Sequence, residues 1–158
     1  MVRASPHRAE AYGDAKEVAR LGWHPDRRPG VIDHLEGLRV VDVSQNLAGP
    51  YCTQILADLG AEVIKVEPPT GDASRAWAPP LWGGRSPMFL SVNRGKRSIQ
   101  IDLKSEEGKD LLWRLIDGAD VFVQAFRSGV IERLGFDYES VRKRRPAMIY
   151  VSVTAYGP

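Results

Sequence analysis

The sequence predicts an α/β fold, an open and mainly parallel sheet with flanking helices, and three observations predict it. Residues 46–69, NLAGPYCTQILADLGAEVIKVEPP, read as turn, helix, turn and strand directly behind the β-branched run Leu38–Val43, which makes one compact βαβ unit. Beyond residue 35, short apolar runs alternate with amphipathic stretches that end in glycine, the pattern of strands and helices in succession. The turn after the first strand runs straight into a helix, so its backbone N–H groups form a ready anion site in a Rossmann-like arrangement.

The first strand is expected over Leu38–Val43. Gly49 and Pro50 then open a helix over Pro50–Leu59, with proline at the first position, where a missing N–H costs nothing, and Gly60 closes it. Glu62–Val66 supplies the second strand. The segment Pro68–Arg94 holds Trp77 and Trp82 and is broken by Pro68, Pro69, Pro79, Pro80 and Pro87; it reads as a long irregular loop, either functional or packed on the domain by its two indoles. A third strand follows at Ser98–Asp102. The helix Glu106–Ile116 is the best specified: Ser105 can cap it, Glu106 and Glu107 suit the positive end of its dipole, and Gly118 stops it. Its expected buried stripe is Leu111, Leu112, Leu115 and Ile116. Strands at Asp120–Gln124 and Met148–Thr154 flank helices at Val130–Leu134 and Tyr138–Arg144. The apolar side chains of the last strand, Met148, Ile149, Val151 and Val153, are not all expected to be buried by this chain.

Residues 1–34 differ from the rest. Arg3, Arg8, Arg20, Arg27 and Arg28 mix with Glu10, Asp14, Glu17 and prolines without a sustained apolar face, which predicts a loosely ordered leader with at most one short helix at Ala11–Leu21. Residues 35–158 then form the α/β domain, and the length of 158 residues suits one ordinary domain.

Composition excludes several classes of function. With 22 basic and 20 acidic residues the net charge is +2, which gives no electrostatic case for nucleic acid or an anionic membrane. The basic run Arg142–Arg145 suits a helix C-terminus that stops before Pro146. The single cysteine, Cys52, cannot form an internal disulfide, no apolar run approaches the ~20 residues that span a bilayer, and no signal-peptide core is present, so a cytoplasmic protein is expected. His7, His24 and His34 have no metal-ligand spacing among themselves or with Cys52, and no metal is expected. A dinucleotide site is disfavoured because Ser44–Pro50 contains one glycine where G-x-G-x-x-G needs three. Glu67 alone fits a ribose ligand and reads instead as surface charge at a strand end. Asp42, inside the first strand, should be partly buried near the ligand edge of the sheet, hydrogen-bonded to loop amides.

The run 46–69, then Asn93-Arg94-Gly95-Lys96-Arg97-Ser98-Ile99, then residues 126–136, FRSGVIERLGF, together resemble the N-terminal half of the family III coenzyme A transferases. That family includes the formyl-CoA transferases, the carnitine-CoA transferases and α-methylacyl-CoA racemase, and the resemblance covers Leu35 to Pro158. It implies an incomplete large domain of the family fold, an acyl-CoA as substrate with no tightly bound cofactor, a carboxylic acid as acceptor, and an interlocked homodimer or completion by a second polypeptide. It further implies that Leu47 and Ala48 lie along the coenzyme, that Leu103 and Lys104 meet it after the third strand, and that Phe126, Arg127 and Arg133 line its adenine and phosphates.

Coenzyme A phosphates need cationic groups and N–H donors, and the adenine needs an apolar slot. Lys96, Arg97, Lys104, Arg127 and Arg133 are the basic candidates near element ends. Two departures from the family pattern stand out. Pro68 occupies a place where an arginine is often found, with Arg75 as a nearby substitute, and Ala125 and Ser128 flank Phe126-Arg127 in place of the usual asparagine and proline. In the family a nucleophilic aspartate follows a YGP-like turn. The last residues here are Tyr156-Gly157-Pro158, so no catalytic residue is assigned, and the expected function is that of an N-terminal portion of an acyl-CoA:carboxylate transferase, inactive alone. The alternatives are the equivalent part of a racemase-like isomerase and a non-catalytic remnant or interaction module.

Overall fold

The computed structural model describes residues 33–77, 79–155 and 157; residues 1–32 of the expected leader, with its short helix, His7 and His24, lie outside the described residues. Five strands form one sheet: β1 (Arg39–Asp42), β2 (Glu62–Glu67), β3 (Arg97–Gln100), β4 (Val121–Gln124) and β5 (Ile149–Ser152). Their order is β3-β2-β1-β4-β5, and each neighbouring pair is parallel. The chain therefore winds outward from β1 to β3, then crosses to the other side of β1 for β4 and β5. The winding reverses between β1 and β4, and in open α/β sheets the crevice outside the carboxyl ends of the strands at that point is where ligands bind.

Alternation along the central strands divides the core into two layers. Val41, Val43, Val66 and Phe122 face a cluster completed by Leu112, Ile116, Ile131, Phe136 and Val141, so that face is covered by α3 (Glu106–Asp117), α4 (Val130–Leu134) and α5 (Tyr138–Arg144). Val40, Val63, Val121 and Val123 face the other way, against Leu56 and Ala57 of α1 (Ala48–Asp58). The strand Arg97–Gln100 closes one edge with all four residues exposed.

Helix α3 matches its sequence signals. Ser105 Oγ accepts a hydrogen bond from Gly108 N at 3.0 Å, two glutamates occupy the first turn, and Gly118 is the C-cap. Its buried stripe differs from expectation. Leu112 and Ile116 are fully buried and Leu115 partly, but Leu111 is 44% exposed. The buried line is instead Gly108, Leu112 and Ile116, at the i, i+4 spacing of a helix face. A Cβ at residue 108 would overlap the Asp102 carbonyl, so glycine lets the first turn approach that backbone.

Two further expectations are corrected. Helix α1 begins at Ala48, which places Pro50 third in the helix rather than first; the missing N–H is still harmless there, because first-turn N–H groups have no intrahelical acceptor. The segment 68–94 is not wholly irregular. It contains a 3₁₀ turn at Ala73–Ala76 capped by Asp72, and a helix α2 (Pro87–Asn93) with Pro87 at its start and Ser86 as its cap. The indoles do not pack this segment down, since Trp77 is 43% and Trp82 76% exposed. On β5, Ile149 is 58% exposed while Val151 is half-buried. Among the described residues no helix is long and apolar enough to cross a membrane.

Candidate functional site at the carboxyl edge of the sheet

Beneath the carboxyl ends of β1 and β2 lies a network of three buried carboxylates, two buried lysines and the partly exposed Arg75. Asp42, at the end of β1, is fully buried. One carboxylate oxygen accepts from Ser44 N at 2.9 Å and from Ser44 Oγ; the other accepts from Thr53 Oγ1 at 2.5 Å and from Lys96 Nζ at 3.1 Å. Hydrogen bonding of Asp42 to a loop amide is thus as expected, and Lys96 is an additional partner. Lys65 points from β2 into the same layer, donating to Ser44 O at 2.9 Å and pairing with Asp72 at 2.8 Å. Asp72 in turn accepts from Asn46 N at 3.2 Å and from Ser74 N and Oγ at 2.9 and 2.7 Å.

Glu67 was expected at the surface and is instead 1% exposed. The physical reason is the partner set: Arg75 Nε and Nη2 bind it bidentately at 2.7 and 2.6 Å, Ser98 Oγ at 2.6 Å and Asp72 N at 2.8 Å. Burial alone would raise the Glu67 carboxyl, but these donors outweigh it and hold it at about 2. Burial likewise opposes ionisation of Asp72, and the bonds from Lys65 and Ser74 bring its value below the ordinary carboxylate range. The guanidinium of Arg75 also lies 3.8 Å over the Phe89 ring of α2, so it is a strut between that helix and β2. Arg75 is thus paired with Glu67 while its side chain remains 44% exposed.

The network fixes the loop between β1 and α1 at several points. Ser44 is held through N, Oγ and O, and Asn46 is held through N while adopting a left-handed φ of 67°, a region that asparagine tolerates. Gly49 packs where a Cβ would overlap the Ser44 side chain. Lys96 Nζ also donates to Pro50 O at 2.7 Å and Asn93 Oδ1 at 2.9 Å, so it braces the first turn of α1 from below. At the top of that turn the N-cap residue is Leu47, which offers no side-chain acceptor; Leu47 and Ala48 are exposed. The helix therefore presents first-turn N–H groups and its positive dipole end without a capping side chain.

The other expected residues fall along the same edge. Leu103, after β3, and Phe126, after β4, are both half-buried against the cluster on the α3–α5 face. Lys104, Arg127 and Arg133 are exposed. Gln124 at the end of β4, which no sequence signal marks beyond its place in a strand, fixes this part of the edge: its Oε1 accepts from Phe126 N at 2.8 Å and its Nε2 donates to Ser152 Oγ at 2.6 Å. Beside it a cleft of about 340 Å³ opens between residues 125–128 and residues 153–155 and 157. Two basic candidates are corrected. Lys96 spends its three N–H donors on protein acceptors with its side chain 2% exposed, and Arg97 sits at the amino end of β3, paired with Glu62.

The family described as CoA-transferase family III matches residues 35–158, the whole of this α/β unit. The chain belongs to that family. Among its relatives are the Mycobacterium tuberculosis protein named probable fatty acyl-CoA transferase Rv3272, 50% identical over 126 residues, with 78% of this chain and 32% of the relative covered. The mouse succinyl-CoA:glutarate CoA-transferase is 46% identical, with 78% and 28% covered. A crystal structure of a CAIB/BAIF family protein from Brucella suis superposes with a TM-score of 0.75 at 45% identity, covering 79% of this chain and 35% of that one. The chain thus spans about a third of the length of the family III relatives it matches.

Proposed function

We propose that the carboxyl edge of this sheet binds the coenzyme A part of an acyl-CoA, as a portion of an acyl-CoA:carboxylate CoA-transferase. One arrangement supports the reading: along the carboxyl edge of the sheet the chain sets an uncapped helix start after β1, Leu103 and the exposed Lys104 after β3, and Phe126 and the exposed Arg127 after β4, with the exposed Arg133 in α4, whereas Lys65 and Lys96 are buried beside carboxylates and Arg75 is paired with Glu67. N–H donors and exposed cations suit the phosphates, and apolar side chains such as Leu103 or Phe126 suit the adenine. Family membership and the transferase activity named for the mouse relative support the substrate class.

In this reading the chain contributes binding and orientation. Gripping the nucleotide handle fixes where the thioester carbonyl sits, which converts an encounter between reactants into a positioned one. Asp42, Glu67 and Asp72 act as scaffold: the oxygens of Asp42 and Glu67 accept from donors within the network, Asp72 accepts through Oδ1 and pairs with Lys65 through Oδ2, and we assign none of them as a nucleophile. The transfer would pass coenzyme A to a carboxylic acid through an aspartyl intermediate on a residue outside those described, in a homodimer or with a complementary polypeptide. Residues 35–158 would be the functional unit and residues 1–34 a leader in a cytoplasmic protein.

Titration calorimetry of the chain with coenzyme A tests the reading. Saturable binding is expected, and Arg133→Ala should weaken it about tenfold, the scale of one charge-assisted hydrogen bond. A larger loss for coenzyme A than for dephospho-coenzyme A would place Arg133 on the 3′-phosphate. Absence of saturable binding would overturn the reading.

A further inference from the structure

Lys96 has no place in the ligand rim, yet it is the group on which the rim's central turn rests. Its ammonium is buried, and its contacts come from three different elements: Asp42 of β1 at 3.1 Å, the Pro50 carbonyl of α1 at 2.7 Å and Asn93 of α2 at 2.9 Å. Pro50 O lies in the first turn of the helix whose uncapped start faces the ligand edge. We propose that Lys96 is a positioning residue for coenzyme A, holding the turn 44–50 in its phosphate-facing geometry and supplying the positive charge that offsets Asp42 beneath it. This rests on the coenzyme A reading above.

The charge argument involves every ionisable group around the ammonium. Asp42 faces it from β1, Lys65 from β2 and Asp72 from the loop after β2, while α1 and α2 contribute only the neutral Pro50 carbonyl and Asn93 amide. The Lys65 and Lys96 ammonium groups stand two against two with the carboxylates of Asp42 and Asp72. Burial pushes the Lys96 ammonium down to about 8, against the pull of Asp42. Loss of that proton leaves the two carboxylates in excess directly below a turn that faces an anion. Coenzyme A affinity should accordingly fall as the pH rises through about 8. Folding does not weaken in the same range: the folded value lies below that of an exposed lysine, so the unfolded chain binds the extra proton and the folded state gains stability as pH rises. A binding loss with no stability loss separates positioning from a merely structural role.

The experiment is calorimetry of coenzyme A binding from pH 6.5 to 9.5 on the wild-type chain, Lys96→Met and Asn93→Asp, with amide hydrogen exchange of residues 45–52 measured without ligand. The wild type should lose affinity through pH 8. Lys96→Met should bind about tenfold more weakly at pH 7 and show no such step. Asn93→Asp, which places a carboxylate beside the ammonium, should move the step upward by at least a pH unit. In exchange, Lys96→Met should open residues 45–52 at least tenfold faster while α3 is unchanged. Wild-type affinity in Lys96→Met, or a pH step that survives in it, would overturn the positioning role and leave the coenzyme A reading intact. If no chain binds coenzyme A, that reading fails, and equal exchange at residues 45–52 would then overturn the positioning role separately. Should Lys96→Met not fold, an unmoved step in Asn93→Asp would do so.

Discussion

The two ends of the sheet use the same charged residue types in opposite ways. At the amino end, Glu62 pairs with Arg39 at 3.3 Å and with Arg97, with side-chain exposures of 39%, 62% and 70%. At the carboxyl end, Asp42 and Asp72 are matched to the buried Lys96 and Lys65, and Glu67 to Arg75, whose side chain is 44% exposed, while the three carboxylates are at most 2% exposed. Exposed pairs are screened and compete with water, so they decorate the fold. Buried pairs lose most of their hydration, so each group must find several partners at once, and satisfying them fixes the positions of the segments that supply them. The carboxyl end is therefore where geometry is specified, and that is the end that carries the candidate site.

The largest test of this contrast is Lys65→Met. It removes the cation from Asp72 and the donor from Ser44 O, leaving a buried charge without compensation, and should cost about 3–5 kcal/mol in denaturant unfolding. A loss under about 1 kcal/mol would mean that the network is hydrated and the two ends are alike.

A smaller effect should appear in acid. Glu67 is held at about 2 in the folded state against 4.5 for the free side chain, so the unfolded chain binds the proton first as pH falls. Its stabilising contribution is complete above about 4.5 and is lost on the way down to 2, with a slope of at most about 1.4 kcal/mol per pH unit. Glu67→Gln should lack that component when unfolding is followed between pH 5 and 2. An identical pH dependence in the two proteins would mean that the carboxylate is solvated.

The smallest effect belongs to the amino end. Arg97→Ala should change stability by about 0–1 kcal/mol and leave coenzyme A affinity at the wild-type value in calorimetry. A strong loss of binding would return Arg97 to the ligand rim and break the division between the two ends.

How much of this could be read from the sequence differs along the same line. The central strands and the helices α3, α4 and α5 were legible to within a residue or two, because glycine stops, the Ser105 cap and β-branched runs are local signals. Helix α2 was hidden, since a seven-residue helix opened by Pro87 in a proline-rich segment looks like a break. The ligand edge was legible in outline from the strand–turn–helix signature and the position of Asp42. Its supports were not. Lys96 meets Asp42 across 54 residues, and no local pattern reports such a pairing. One signal did exist: Lys65 and Glu67 sit beside Val63, Ile64 and Val66 in the second strand of a mainly parallel sheet, and a charge within a parallel strand covered on both faces must be buried and paired.

The outer strands leave the sheet unequally protected against unwanted growth. An unpaired strand edge is a template for strand addition, and among the described residues β3 blunts its own with the charge of Arg97 and a single apolar side chain, Ile99. The opposite edge, β5, reads Ile-Tyr-Val-Ser with no charge and with Ile149 exposed. Extension of the sheet by another segment, whether folding or aggregating, is thus disfavoured at β3 and permitted at β5, which gives sheet growth in this protein a direction.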